Sequence, residues 1–337
     1  MPLNHSLTAK GISRSFAGRT VVNSADLSIE PGRVTALIGP SGSGKTTLLR
    51  MLAGMETPDA GTVHSGDMLL SDNQTFVPIE KRRIGLVFQD FALFPHLSVV
   101  GNVMFGLQNM PKDARASKAD TWIERLGLSH RRAAYPHQLS GGEQQRTAIA
   151  RALAPDPVAI LLDEPFSGLD PAMREQVRGA ALDAIRAANI PALLVTHDAN
   201  EALVHADQIA VIEGGSILQS DTPETVYRLP QSERVARALG PVHSISTQNL
   251  PHPWQSQLGA RGDLVHYRPE AIRIGEGLEF TVTRTRLAGA ITEVELELPG
   301  SETIFAACQP GRTLQAGDKV NVSLNPELVF DFAEKTV

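Results

Sequence analysis

One stretch constrains this chain more than any other: Gly39-Pro40-Ser41-Gly42-Ser43-Gly44-Lys45-Thr46-Thr47. A short apolar run, Val34 to Ile38, precedes it. A helix-like run, Leu48 to Ala53, follows, with Gly54 placed to end it as a C-terminal cap. Strand, G-x-x-x-x-G-K-T and helix in that order form a phosphate-cradling loop. Glycines let the backbone wrap closely around an anion with its N–H groups turned inward, and the helix start adds partial positive charge. Lys45 then reaches the β- and γ-phosphates of a nucleotide, and the Thr46 hydroxyl is suited to Mg²⁺. A Gly/Ser surface turn would require neither the strand before nor the helix after.

Other strands deliver further polar residues. Ile84 to Phe88 reads as a strand ending at Gln89, Val158 to Leu162 as one ending in Asp163-Glu164, and Ala192 to Thr196 as one ending in His197. Helical patterns separate them, including Ala172 to Ala188 and Asp198 to His205. Alternating strands and helices imply a mainly parallel sheet with helices on both faces, and ligands in such sheets sit at the strands' carboxyl ends. Asp163 is expected on the strand next to the phosphate-loop strand, where a carboxylate holds Mg²⁺. Glu164 is the candidate general base for an attacking water, and His197 the candidate contact to the γ-phosphate. Gln89 reads either as a ligand to metal or water or as an ordinary strand end. Phe16 reads either as core or as a ring for an adenine to stack on.

Leu139-Ser140-Gly141-Gly142-Glu143 is the second informative stretch. Ser140 and Glu143 fit a capping box at the start of a helix running to Ala154. Two glycines there do not help the helix, but they leave amides bare at its positive end, a second phosphate-binding terminus. Around it, residues 91 to 154 are expected to be mostly helical. Ala119, Trp122, Ile123 and Leu126 share one face that Gly127 closes.

The chain's 337 residues, 42% of them hydrophobic, accommodate one large domain and one smaller. The character changes near residue 240. Residues 241 to 337 read as a small β-barrel-like domain, in which Thr292, Val294, Leu296 and Leu298 alternate with Glu293, Glu295 and Glu297. The net charge of −6 lacks a long basic block and argues against a nucleic-acid partner. The single cysteine, Cys308, excludes an internal disulfide, points to a reducing compartment, and reads as a small buried apolar residue. Neither a secretory signal nor a membrane-length apolar run is read in the chain, so it is expected to be soluble and to reach a membrane through another protein.

Taken together, Gly39 to Thr46, Gln89, Leu139 to Glu143, Leu161 to Glu164, Ser167-Gly168-Leu169-Asp170 and His197 resemble the ATP-binding cassette family over residues 7 to 235. The resemblance implies an α/β P-loop NTPase cassette (1–240, helical subdomain about 91–154). It also implies ATP with Mg²⁺ and a head-to-tail homodimer. In that dimer Ser140 and Gly142 contact the partner's γ-phosphate and Asp170 links the two sites. Phe16 matches the adenine-stacking aromatic, commonly Tyr, and Gly168 stands where Ala is common. The tail, through His266 to Ile272, resembles the OB/TOBE-like accessory domain of bacterial importer ATPases (241–337). The expectation is an importer ATPase, for ferric iron in preference to polyamine, thiamine, phosphonate, sulfate or sugar. It would lie on the cytoplasmic face of the inner membrane with separate permease subunits and a periplasmic or extracellular solute-binding protein. The apolar segment Phe91 to Leu97 is either buried or a dock for a permease helix. A soluble ABC ATPase of DNA repair or translation is the alternative of another class, and a metabolic P-loop kinase a third reading.

Overall fold

The computed structural model describes residues 5–108, 110–259, 262–289, 291–298, 302–308 and 314–332. By its internal contacts the chain parts into two units, Met1–Pro223 and Glu224–Val337. The compositional change near residue 240 falls inside the second.

The first unit begins with β1 (Leu7–Phe16), β2 (Arg19–Ile29), β3 (Val34–Ile38), α1 (Lys45–Ala53), β4 (Ala60–Ser65) and β5 (Met68–Ser71). It continues through α2 (Ile79–Arg82), β6 (Ile84–Val87), α3 (Val99–Phe105), α4 (Lys112–Arg125), α5 (Gly141–Leu153), β7 (Ala159–Asp163) and α6 (Pro171–Ala187). It closes with β8 (Ala192–Val195), α7 (Ala199–His205), β9 (Gln208–Glu213) and β10 (Ser216–Asp221). An antiparallel sheet runs in the order β2-β1-β4-β5. The second sheet, β10-β9-β3-β8-β7-β6, is parallel from β9 to β6, with β10 antiparallel at its edge.

The strand order corrects one expectation. Asp163 does not end a neighbour of the phosphate-loop strand: β8 lies between β3 and β7, and Val195 pairs with Leu37 on one side and Asp163 on the other. The crossover through α6 sets β8 directly beside β7, on the side toward β3. All four β8 residues are buried, so the most apolar short strand takes the central slot.

Helix α1 is held at its C-terminal end. Gly54 closes it in the left-handed conformation at φ 82°, as the sequence implied. Its last carbonyls are capped by a buried cation: Arg82 donates to Met51 O and Leu52 O at 2.9 Å each, and to Val77 O at 2.7 Å. Burial pulls this guanidinium down to about 10. Leu48, Leu49 and Leu52 are at most 1% exposed. Each anchors the helix with roughly 1.5–3 kcal/mol of apolar burial. The expected face of α4 (Ala119, Trp122, Ile123, Leu126) is buried in the core that α5 and α6 share.

The second unit holds α8 (Pro223–Arg228, whose first residue belongs to the first unit), α9 (Glu233–Ala238), β11 (His243–Ser246), α10 (His252–Leu258), β12 (Leu264–Tyr267) and β13 (Ile272–Ala288). It ends with β14 (Ile291–Glu297), β15 (Thr303–Cys308), β16 (Lys319–Leu324) and β17 (Val329–Phe330). Two antiparallel sheets, β11-β12-β17 and β15-β14-β13-β16, enclose one core. The alternation read from β14 is real, with Val294, Leu296 and Leu298 at most 2% exposed. Arg268 is fully buried, stacks 3.8 Å from the Tyr227 ring, and donates to Tyr227 O and Ala236 O. The Cys308 side chain lies outside the described residues.

Candidate functional site

The parallel sheet brings the candidates to one edge. Gly39 follows β3, Gln89 follows β6, Asp163 ends β7 with Glu164 next, and His197 follows β8. A cleft of about 370 Å³ opens there, lined by Val21, Ser41, Gly42, Gly44, Lys45, Thr46, Thr47, Glu164 and His197.

Close backbone packing explains the glycines of the loop. A Cβ on Gly39 would lie 2.0 Å from Ile212 O. One on Gly44, where φ is 104°, would lie 2.6 Å from Val21 O. Helix α1 starts at Gly44 with no side-chain cap, so its first amides face the cleft unspent. Lys45 Nζ donates to Gly39 O at 2.7 Å and Pro40 O at 2.9 Å, within the loop. Burial lowers its pKa, while Glu164 and Asp163 act in the opposite sense.

Opposite the loop, His197 Nδ1 lies 3.1 Å from Glu164 Oε2. Glu164 has φ 45°, a left-handed backbone rare for a residue with a side chain. Its N–H donates to Val195 O at 3.0 Å, and its carbonyl accepts from the Ser167 hydroxyl at 2.9 Å. The turn after β7 is thus pinned on both sides, which sustains the strained conformation. Asp163 is half-buried. Burial, then the neighbouring Glu164 charge, raises its pKa against Arg50 and Lys45. Glu164 shares the cleft with the exposed Thr46 hydroxyl, and Asp163, adjacent in the chain and partly desolvated, stands just behind its lining; these are oxygen donors of the kind a hard divalent cation takes.

Not every candidate meets at the cleft. Gln89 is exposed, beyond the edge strand β6. Phe16 ends β1, is 42% exposed, and has the Arg14 guanidinium 4.9 Å from its ring centre, which removes it from the core. Leu139 to Glu143 form a separate feature. Ser140 Oγ accepts from Glu143 N at 3.3 Å, and Glu143 Oε2 accepts from Ser140 N at 2.9 Å, completing the capping box. Val21 is the cleft residue that sequence reasoning missed; an apolar residue in an alternating strand carries no chemical signal.

Beside the first unit's core, residues including Ile84, Leu86, Ala92, Phe94, Phe105 and Arg151 line a mostly apolar groove of about 740 Å³. The segment 91 to 97 is divided between the two: Phe91 and Leu93 pack half-buried against the core, while Ala92 and Phe94 line the groove. Phe91 and Ala92 are left-handed, at φ 60° and 44°, and Arg151 of α5 grips their carbonyls at 3.0 and 2.7 Å.

Residues 22–167 match the ABC transporter family model and residues 267–332 the TOBE domain model. The "Fe(3+) ions import ATP-binding protein FbpC 2" of Pectobacterium atrosepticum is 46% identical over 333 residues, covering 93% of this chain and 96% of that protein. The corresponding FbpC of Serratia marcescens is 38% identical, covering 87% and 89%. Among solved structures, cbiO1 of Clostridium perfringens, part of the ABC transporter complex cbiONQ, matches with a TM-score of 0.61. It is 29% identical and covers 66% of this chain and 90% of its own. The dimeric post-hydrolysis cassette MJ0796, bound to ADP and Pi, matches at 0.57 and 29%, covering 64% and 98%. Phosphate loop, paired Asp163-Glu164, capped Ser140 turn and an accessory β unit thus coincide with similarity along nearly the whole length: the chain belongs to the ABC transporter family as one of its ATP-binding proteins, and is an ATPase.

Proposed function

We propose that this chain is the ATPase subunit of a bacterial Fe³⁺ importer and works as a homodimer. The observation that carries the catalytic part is the facing of Lys45 and Thr46 by Glu164 and His197 across one cleft. The iron assignment rests on the similarity to Fe³⁺-import ATP-binding proteins at 38–46% identity.

ATP lies with its phosphates in the loop Gly39 to Thr47, against the bare amides of α1 and Lys45, and its adenine stacks on Phe16. Thr46 and Asp163 would hold Mg²⁺, with Gln89 drawn in from its position outside the cleft, and the ion would neutralise charge on the β- and γ-phosphates. Glu164 takes the proton of the attacking water, and His197, set against Glu164, faces the γ-phosphate end. The start of α5 completes the partner's site, Ser140 and Gly142 contacting its γ-phosphate and Asp170 linking the two sites. Dimer closure on ATP and reopening after hydrolysis drive separate permease subunits fed by a solute-binding protein. The chain sits on the cytoplasmic face of the inner membrane. A short permease helix docks in the groove beside Phe94, whose apolar lining suits an amphipathic helix. The cassette runs to about residue 240, and residues 241 to 337 act as an accessory domain.

Glu164→Gln tests this reading. ATP binding is expected to persist, turnover to fall about 100-fold or more, and an ATP-trapped dimer to elute on gel filtration. Normal turnover would remove Glu164 from the mechanism. For cargo, vesicles containing the chain with its cognate permease should accumulate Fe³⁺ on ATP addition. Uptake of polyamine, thiamine or phosphonate instead would reassign the substrate.

A further inference from the structure

Behind the Glu164–His197 pair lies a second, smaller cavity of about 60 Å³, bordered by Glu164, His197, Thr196, Arg174, Arg178 and Glu201. Its far wall is an ion pair that the reaction as described does not use. Arg178 on α6 and Glu201 on α7 approach to 3.2 Å, Nε to Oε1, with side chains only 8% and 5% exposed. The two atoms are not aligned as a hydrogen bond, and neither has another partner. The guanidinium also lies 5.7 Å from the ring of Phe166. Burial pushes the Glu201 carboxyl up, opposed by a hydrogen bond from Thr196 and by the Arg178 and Arg174 charges.

Such a pair is a poor source of stability. Desolvating two charges costs several kcal/mol, and apolar residues of similar volume serve a core as well or better. What it supplies is a fixed position. Glu201 belongs to the first turn of α7, which Asp198 caps by accepting from Asn200 N at 2.9 Å and Glu201 N at 3.2 Å. Thr196 accepts from Asp198 N at 3.0 Å. His197 therefore sits between two residues tied to Glu201. On the other side, one turn from Arg178, Arg174 donates to Leu169 O at 2.8 Å, in the loop Ser167 to Asp170 that leads into α6.

We propose that Arg178 and Glu201 are positioning residues for ATP hydrolysis: their buried pair clamps the first turn of α7 to α6, and so holds His197 on Glu164 and in step with the loop Ser167 to Asp170. The clamp rests on the assignment of Glu164 and His197 to the reaction. It touches neither nucleotide nor the phosphate loop, so it acts on turnover and not on binding. Small misplacements of reacting groups are costly, of the order of 100-fold in rate for about 1 Å.

The test is the double variant Arg178→Met/Glu201→Leu in the full-length chain. It removes both charges together and leaves neither stranded. Its thermal midpoint is expected within about 5 °C of the unaltered protein. KM and the affinity for a fluorescent ATP analogue should stay within about threefold, with kcat lowered about tenfold or more. A folded variant with kcat within about twofold of the unaltered protein would overturn the clamp, as would a rise in KM equal to the loss in kcat. If the double variant does not fold, Glu201→Gln decides, since it keeps the shape and removes the charge. A kcat at least about threefold lower at unchanged KM supports the clamp, and an unchanged kcat overturns it. Glu164→Gln run alongside separates the two readings. Lost turnover there with normal turnover in the double variant rejects the clamp alone, whereas normal turnover in Glu164→Gln rejects the dyad and the clamp with it.

Discussion

Two helices of the first unit begin with glycine-rich turns, and they begin differently. Helix α1 starts at Gly44 with a left-handed backbone and no side-chain cap. Helix α5 starts at Ser140 with a complete capping box, and Glu143 is further held by Arg131 Nε at 2.9 Å and His130 Nε2 at 3.3 Å. The first leaves its amides to a ligand and stands in a cleft with a lysine, a threonine and the Glu164–His197 pair. The second has already satisfied part of its polarity internally and lies outside that cleft. One terminus is built to bind on its own. The other is braced from behind by buried Glu143 and presents Ser140 and Gly141 to solvent, which suits a surface that completes a site elsewhere. Substitutions at the two starts should therefore separate binding from turnover.

The largest effect is expected at α1. Lys45→Ala removes the cation that faces Asp163 and Glu164, leaving two carboxylates and a triphosphate without it. Nucleotide binding should weaken strongly and turnover fall about 100-fold or more, read by fluorescent-ATP titration and phosphate release. Retained affinity would show that the bare amides of α1 suffice.

Ser140→Arg is the matching change at α5. It places a bulky cation where a small hydroxyl is presented. ATP binding by the monomer should be unchanged while hydrolysis falls about tenfold or more, because the damaged surface belongs to the other subunit's site. Collapse of monomer binding would dissolve the contrast between the two helix starts and with it the shared-site model.

How much of this was legible in the sequence differs from residue to residue for physical reasons. The loop, the Gly54 cap, the Ser140–Glu143 box and the buried face of α4 were readable because each is a local pattern, fixed by backbone geometry within a few residues. Strand order was not. Nothing within β3 or β7 specifies that β8 intervenes; the α6 crossover and the burial of every β8 residue decide it. Arg82, Arg178 and Glu201 were invisible too, since charged residues in amphipathic stretches read as solvent-facing until the packing around them is known. The strained turn at Phe91 and Ala92 gives no compositional sign, because neither residue is a glycine; its support, Arg151, comes from another helix. At the cleft, the lining residues with a chemical signature, Lys45, Thr46, Glu164 and His197, were readable, while the wall residue Val21 and the buried Arg178–Glu201 pair were not.

Glu143→Gln sharpens the comparison with the smallest effect. Burial alone would raise the Glu143 carboxyl, but the Ser140 N–H and hydroxyl and the Arg131 guanidinium together hold it at about 2. A folded-state value below the unfolded one means the carboxylate stabilises the fold in full above the unfolded value, about 4.5, and loses that contribution as pH falls toward 2. Arg131 is 45% exposed, so solvent screens the pair and its worth is about 1 kcal/mol. Denaturant unfolding at pH 7 should find the glutamine variant less stable by about that amount, and the gap should close between pH 4.5 and 2, in the direction set by the titration. Phosphate-loop binding of ATP should be unaffected, because Glu143 lies outside the cleft. A stability gap that does not change with pH would mean that the start of α5 is held by the shape of its capping box and not by the charge within it.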